Sequence, residues 1–193
     1  MNHSDTAIDL RARLVTAALA MLETDGAEPS LRAVARAVGV SAMAPYRHFP
    51  DKAALLAAVA ADGFRGLAAA LVSADAQPDP RAALVAQGMA FVAFARANPG
   101  LYRLMFSENY GNTDFDTVNA TYLILAERVR GLVTDEVDAA ILACRALVQG
   151  LASIALSGRI PPMAADPVAR AIGLFVDGLG NAGSENPTER IRR

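Results

Sequence analysis

The sequence has one cysteine, Cys144, no tryptophan and two histidines, His3 and His48. A single cysteine cannot form an intramolecular disulfide, and so few Cys and His side chains offer no cluster for a metal ion. The longest strictly apolar run, residues 53–61, is far shorter than the ~20 residues that a membrane-spanning helix needs, and the N-terminus has no apolar signal core. These absences predict a cytoplasmic protein with no metal, no cofactor and no membrane segment.

Charge of either sign is not in large excess, because 18 basic and 20 acidic residues give a net charge of −2. Bulk charge therefore does not point to nucleic acid. Lys52 is the only lysine, and it lies within seven residues of Tyr46, Arg47 and His48. Residues 30–52 carry a net charge of +3 in a chain that is acidic overall. A local basic patch of this kind is a candidate anion-binding surface.

The composition and its periodicity predict an all-α fold. Hydrophobic residues make up 53% of the chain, many of them Ala and Leu, which favour helix over strand. Apolar residues recur at spacings of three and four, and no stretch shows the sustained alternation typical of strands. Helices are predicted at 9–24, 30–39, 42–48, from 51 onward, 80–97, 99–107, 114–133, 136–157 and 166–180.

The short helices at 30–39 and 42–48 have the pattern of a helix-turn-helix. Ser30 is a good N-cap, Gly39 suits a left-handed C-cap, and Ser41 and Asp51 can cap the two helices that follow. Two helices of seven to nine residues joined by a short glycine-containing turn form the unit whose second helix enters the DNA major groove. The small residues that open this helix would let it approach the base pairs closely.

The stretch SLRAVARAVGVSAMAPYRHFPDKAALLAAV, residues 30–59, resembles the DNA-binding segment of TetR-family transcriptional regulators. The specific match covers about sixty residues and implies a helix-turn-helix domain at 1–60, followed by a regulatory and dimerisation domain at 61–193. The resemblance implies phosphate contacts by Ser30, Tyr46, His48 and Lys52. It places Arg32 near a base edge, Ser41 at the helix cap, Ala42, Met43 and Ala44 in the groove, and Arg47 on either a base or the backbone.

Pro45 departs from the family pattern, in which a leucine or another apolar residue is common at this position. A proline at the fourth helical position lacks the N–H for the first intrahelical hydrogen bond. The recognition helix is therefore expected to begin one residue later or to open with a 3₁₀ turn.

The C-terminal region resembles a TetR subgroup with a W…HG signature, although Arg145 and Gln149 replace the Trp and His and only Gly150 remains. An apolar cavity with a few polar groups is typical of a small-molecule site. The predicted effector-binding residues are Phe91, Phe94, Tyr102, Met105, Phe106, Tyr122, Arg145 and Gln149. An aromatic stripe at helical spacing is also typical of a plain core, and the sequence leaves both interpretations open.

Two late helices, near 136–157 and 166–180, are predicted to form a homodimer interface. In the first, the apolar stripe proposed for that role is Val137, Ala140, Ile141, Cys144, Val148, Leu151, Ala152 and Ala155. The family resemblance implies a four-helix contact between subunits and a repressor released from a pseudo-palindromic operator by a small apolar ligand. Activation rather than repression remains an alternative.

Two other classes of function were weighed from the residues. A small helical enzyme could use the apolar cluster, but neither histidine lies near it and no catalytic residue is predicted. A helical adaptor could bind a protein through residues 30–60. Removing phosphate-binding groups discriminates these classes, because neither an enzyme nor an adaptor depends on such contacts.

Overall fold

The computed structural model describes residues 3–107, 115–158 and 166–182, and within these ranges the chain is helical with no strand. This confirms the all-α prediction. The helices are α1 His3–Asp25, α2 Leu31–Val38, α3 Lys52–Ala74, α4 Pro80–Ala97, α5 Pro99–Met105, α6 Phe115–Arg130, α7 Val137–Leu156 and α8 Pro167–Ala182, with a 3₁₀ segment at Pro45–Arg47 between α2 and α3.

The chain divides into two compact units that differ from the two predicted segments of sequence. The first unit comprises Met1–Gly66 and Asn98–Val118, and the second comprises Leu67–Ala97 and Asn119–Arg193. The sequence division at 60/61 falls inside helix α3, which runs without interruption to Ala74. The segment that contains α5 belongs to the first unit because α5 packs against α1.

Glu23 of α1 fixes α5 in the first unit. Its two carboxylate oxygens accept hydrogen bonds from the backbone N–H groups of Gly100, at 3.0 Å, and Leu101, at 2.7 Å. These N–H groups have no partner within the helix, so the carboxylate satisfies them. A Cβ atom at Gly100 would lie 2.7 Å from the Leu22 carbonyl oxygen, which requires glycine at this close approach.

In the second unit, α4 packs against α7 and α8. Four of the eight α7 residues that the sequence assigned to a partner subunit pack within the protomer instead, because Ala140, Ile141, Cys144 and Ala152 are buried there. The other four, Val137, Val148, Leu151 and Ala155, are half-buried. The residues with the strongest apolar periodicity are the ones that a helix buries against neighbouring helices of its own protomer. Burial also raises the pKa of the Cys144 thiol to about 11.

Two described helices, α3 and α7, are long and apolar enough to cross a membrane by length and composition alone. Helices that form the core of a water-soluble protein pass the same test. Within the most apolar part of each, 44% of α3 but only 22% of α7 is buried in the protomer. Helix α7 therefore leaves much of its apolar surface uncovered.

Candidate nucleic-acid interface

Helix α2 has the two caps that the sequence predicted. Ser30 has extended backbone angles, φ −85° and ψ 151°, and its side chain accepts a hydrogen bond from the Ala33 N–H at 3.2 Å. Gly39 adopts the left-handed conformation, with φ 77° and ψ 31°. The following N–H, of Val40, donates to the Ala35 carbonyl at 3.0 Å, which completes a Schellman-type ending. These caps set the ends of an eight-residue helix.

The predicted recognition helix at 42–48 is not a continuous α-helix. A helix capped at Ser41 requires an N–H at position 45 to reach the Ser41 carbonyl, and Pro45 has none. The Ala44 N–H donates to that carbonyl instead, at 3.0 Å, as in a turn. The 3₁₀ segment begins at Pro45 with Ala44, not Ser41, as its cap. A 3₁₀ turn was expected only at the start of the recognition helix, but the 3₁₀ segment Pro45–Arg47 is the only helical part of residues 42–48.

The 3₁₀ segment and its flanking residues have a buried side and an exposed side. Pro45 and Phe49 are buried, and Phe49 is only 2% exposed. Met43 is 68% exposed and Tyr46 41% exposed, so both side chains are accessible to a partner. We call the following set the basic face: Ser30, Arg32, Ser41, Ala42, Met43, Ala44, Tyr46, Arg47, His48 and Lys52. All are exposed except Ala44 and His48, which are half-buried.

Helix α3 begins beside the basic face. The Asp51 carboxylate accepts a hydrogen bond from the Ala54 N–H at 2.8 Å, as predicted for a cap. The Lys52 ammonium lies 2.6 Å from a carboxylate oxygen of Glu28, and both side chains are close to half exposed. Glu28 was not predicted from the sequence, because it lies outside the basic stretch and no local pattern links it to Lys52.

Two arginines of α1 adjoin the same region. Arg13 donates to the Val38 carbonyl at the end of α2, at 3.1 Å. The Arg11 guanidinium lies 5.2 Å from the ring centroid of Phe49, within range of a cation–π interaction. Helical periodicity alone could not assign these contacts, because they depend on how α1 crosses α2 and the 3₁₀ segment.

The predicted effector-binding residues separate into two groups. Tyr102, Met105 and Phe106 belong to the first unit, where the Phe106 ring packs 4.8 Å from that of Tyr102 and 5.6 Å from that of Phe64. Met105 is completely buried, and burial raises the pKa of the Tyr102 hydroxyl. These contacts are those of a packed core.

The other five residues belong to the second unit, in three helices: Phe91 and Phe94 in α4, Tyr122 in α6, and Arg145 and Gln149 in α7. Phe91 is buried and Phe94 half-buried. The Arg145 guanidinium lies 6.0 Å from the Tyr122 ring centroid, so these two predicted residues do come together. Gln149 is half-buried.

A polar network that the sequence analysis missed lies in the second unit. Asp75, just after α3, accepts hydrogen bonds from Arg128 of α6, Nε at 2.7 Å and Nη2 at 3.0 Å, and from the Gln87 amide of α4 at 2.5 Å. The Arg128 guanidinium lowers the pKa of the Asp75 carboxyl below its usual value, and the Gln87 amide adds to that effect. The network ties three helices together through side chains distant in sequence.

Comparison with known proteins identifies the family. Residues 14–59 match the family model for bacterial regulatory proteins of the tetR family, and residues 84–179 match the model for the tetracyclin repressor-like C-terminal domain. No match was found among proteins of curated function.

Solved structures agree with these matches. A protein of unknown function from Rhodococcus sp. RHA1 shares 30% identity over 91% of this chain and 96% of its own, with a TM-score of 0.77. The TetR family transcriptional regulator PfmR from Thermus thermophilus shares 26% identity over 86% and 93%, with a TM-score of 0.61. A tetR family regulatory protein from Rhodococcus RHA1 shares 22% identity over 88% and 96%, with a TM-score of 0.64. The chain belongs to the TetR family and is a helix-turn-helix transcriptional regulator.

Proposed function

We propose that the protein is a repressor that binds a pseudo-palindromic operator as a homodimer and is released by a small apolar effector. Residues 1–60 act as the DNA-binding domain and 61–193 as the regulatory and dimerisation domain, in the cytoplasm and without enzymatic activity. The observation that carries the DNA-binding part is the basic face, a largely exposed surface held in place by the buried side chains of Pro45 and Phe49.

The side chains of the basic face divide by chemistry. Tyr46, His48 and Lys52 bring a hydroxyl, an imidazole and an ammonium group to phosphates, as does Ser30. Ala42, Met43 and Ala44 have no hydrogen-bonding side chain and read thymine methyl groups and groove shape. Arg32 supplies hydrogen-bond donors for a base edge, and Arg47 supplies them for either a base or the DNA backbone. Most of the affinity then comes from phosphates, and specificity over non-specific DNA is modest.

The exposed side of α7 is the proposed subunit interface. Leu142 is 66% and Ile154 45% exposed, at the two borders of this side. Around the helix between these borders the exposed residues are small and uncharged, namely Ala139, Ala146, Gly150, Ser153 and Ser157, whereas the exposed Asp138 and Arg145 lie on the other side of Leu142. On the neighbouring α8, Leu174 is 66% exposed. Exposed apolar surface of this extent on a regulator favours a second copy as its partner.

Three glycines support the same interface. A Cβ atom at Gly150 of α7, or at Gly173 or Gly178 of α8, would meet no atom of the described part of the chain within 4 Å. Glycine inside a helix is less stable than alanine by roughly 0.5–1 kcal/mol, and packing against the described helices gives no reason for these glycines. A partner helix that approaches closely does give one, because it needs room next to the backbone.

The regulatory mechanism follows from two arrangements of the second unit. An effector that binds one arrangement more tightly shifts the population toward it. In that arrangement the separation of the two basic faces does not fit the operator. The effector then lowers the affinity for DNA, at most by the ratio of its own affinities for the two arrangements.

Selection of duplexes from a random library by the full-length protein tests this function. We expect enrichment of an inverted repeat, and a steep fall in its affinity as salt is raised, because each neutralised phosphate contributes about 0.9 to the logarithmic salt slope. Failure to enrich any duplex, or affinity that is insensitive to salt, would contradict the proposal.

Glu28→Gln is predicted to strengthen binding of the selected duplex. Glu28 holds the Lys52 ammonium at 2.6 Å, so a phosphate must displace this carboxylate and also approach its negative charge. Exposed ion pairs contribute about 0.2–1 kcal/mol, so release of Lys52 alone raises the affinity of each subunit by roughly 1.4- to 5-fold. Binding isotherms of wild type and variant at one fixed salt concentration measure the gain.

A double-mutant cycle with Lys52→Ala separates the two effects of Glu28. Competition for Lys52 predicts that most of the gain disappears in the Lys52→Ala background, whereas simple repulsion of phosphate by Glu28 persists there. Weaker duplex binding by Glu28→Gln would show that the ion pair positions Lys52 for DNA, and would refute competition.

A further inference from the structure

Gln87 of α4 is a buried polar residue with one half of its amide unused. Its side chain is 3% exposed, and its Nε2 donates to Asp75 Oδ1 at 2.5 Å. The other amide atom, Oε1, is fully enclosed and has no hydrogen-bond partner among the residues that the structure describes. The amide cannot be reversed, because an ionised carboxylate only accepts hydrogen bonds and must face the NH₂ group.

Asp75 holds the amide of Gln87 in one orientation. Arg128 binds both oxygens of Asp75, at 2.7 and 3.0 Å, and also donates to its backbone carbonyl at 3.0 Å. Arg128 thus fixes the carboxylate by two hydrogen bonds and the Asp75 backbone by a third, and the orientation of the Gln87 amide follows from that of the carboxylate. An acceptor positioned so firmly has little freedom to find a partner by rotation.

A buried acceptor without a hydrogen-bond donor destabilises the conformation of the protein that contains it. A conformation in which a bound molecule donates a hydrogen bond to this acceptor is free of that destabilisation. Because Oε1 is fully enclosed, a molecule can reach it only if the side chains around α4 move apart. Binding at Gln87 would therefore be coupled to a rearrangement, which is the differential interaction that an effector requires.

The same side of α4 is aromatic. Phe91 and Phe94 follow Gln87 at spacings of four and seven and lie on its face of the helix. Both were predicted from the sequence as effector-binding residues, whereas Gln87 was not. We propose that Gln87 Oε1 accepts a hydrogen bond from the effector, an apolar molecule with a single hydroxyl or N–H donor whose body packs on Phe91 and Phe94. This inference rests on the proposed ligand-controlled function.

Pairs of probes that differ only in the donor test the assignment. Each pair is an alcohol and its methyl ether: 2-naphthol, 4-tert-butylphenol and 1-dodecanol with the corresponding ethers. Binding is measured by thermal shift and calorimetry without DNA. A site built around a buried acceptor rejects a ligand that lacks the donor, so we expect at least one alcohol to bind about 10-fold or more tightly than its ether.

Gln87→Met should remove this preference, because methionine has similar length and no amide oxygen. Asp75 keeps Arg128 in the variant, so the fold is retained, and Gln87→Leu provides a second apolar replacement. Gln77→Leu, at an exposed position between α3 and α4, is the matched control and should keep the preference.

Three results would overturn the assignment: no probe binds, alcohol and ether bind equally to the wild type, or the preference survives in both Gln87 variants. The last two include the case in which Oε1 holds only a buried water. Retention of the selected duplex is measured separately for each protein. A wild type that prefers the alcohol yet retains no duplex would contradict the repressor function and leave the Gln87 site standing.

Discussion

Leu142→Arg is expected to convert the proposed dimer to a monomer and to weaken binding of the selected duplex by about 100-fold or more, since linking two binding units raises avidity by 10²–10⁴. Leu142 is 66% exposed at the border of the uncharged side of α7. An arginine there would bring an unpaired charge into an apolar interface in both subunits, and burying an unpaired charge is strongly unfavourable. The fold of the protomer should survive, because the side chain contributes little to its core.

Sedimentation velocity at several concentrations gives the subunit state, and binding to the selected duplex gives the consequence. Leu123→Arg is the matched control, because this leucine of α6 is 52% exposed but lies outside the proposed interface. The control should remain a dimer with unchanged affinity. If Leu142→Arg sediments as a dimer, or binds the duplex as the wild type does, the interface has been placed on the wrong surface.

Lys52→Ala is expected to weaken duplex binding by about 100-fold, because a hydrogen bond to a charged group contributes about 1.5–3 kcal/mol and the dimer loses two of them. The net loss of binding free energy is smaller than this sum, because Lys52 must give up its ion pair with Glu28 to bind a phosphate. The charge also sets the salt dependence, so the logarithmic slope should become shallower by about two per dimer. Affinity across a salt series measures both quantities.

Tyr46→Phe is the uncharged counterpart of this variant. Tyr46 is 41% exposed, and loss of its hydroxyl removes one phosphate contact per subunit without altering charge. Each such hydrogen bond contributes roughly 0.5–1.5 kcal/mol, so the loss of one per subunit should lower the affinity for the duplex by about 10-fold. The salt slope should stay the same. Tyr46→Phe should unfold at the wild-type temperature, and Lys52→Ala within about 4 °C of it, because only the exposed ion pair with Glu28 is lost. Unchanged duplex binding by both would favour an adaptor or another role for this surface.

The parts of the fold that depend on local sequence were predicted well. Periodicity placed α4 at 80–97, as observed, and the caps at Ser30, Gly39 and Asp51 agree with the structure. Each of these features is set by residues within about one helical turn of one another. The family resemblance, carried by residues 30–59, was confirmed for the same reason, since the motif is contiguous.

Features that depend on packing between distant residues were not predicted. The pairing of Glu28 with Lys52 spans 24 positions, and that of Asp75 with Arg128 spans 53. On α7, Ile141 of the stripe assigned to a partner is 1% exposed, whereas the neighbouring Leu142 is 66% exposed. Hydrophobicity alone does not tell whether an apolar stripe packs within the protomer or against a second subunit. The short 3₁₀ segment followed from Pro45, whose effect the sequence had only partly indicated.

Hydroxyl-radical footprinting of the selected duplex is the most direct test of the DNA-binding surface. If two basic faces bind one duplex, the cleavage pattern will show two protected patches on the same side of the helix, with centres separated by about 10 base pairs or a multiple of one helical turn. Protection on opposite sides, or one patch that is unchanged in Lys52→Ala, would contradict the account.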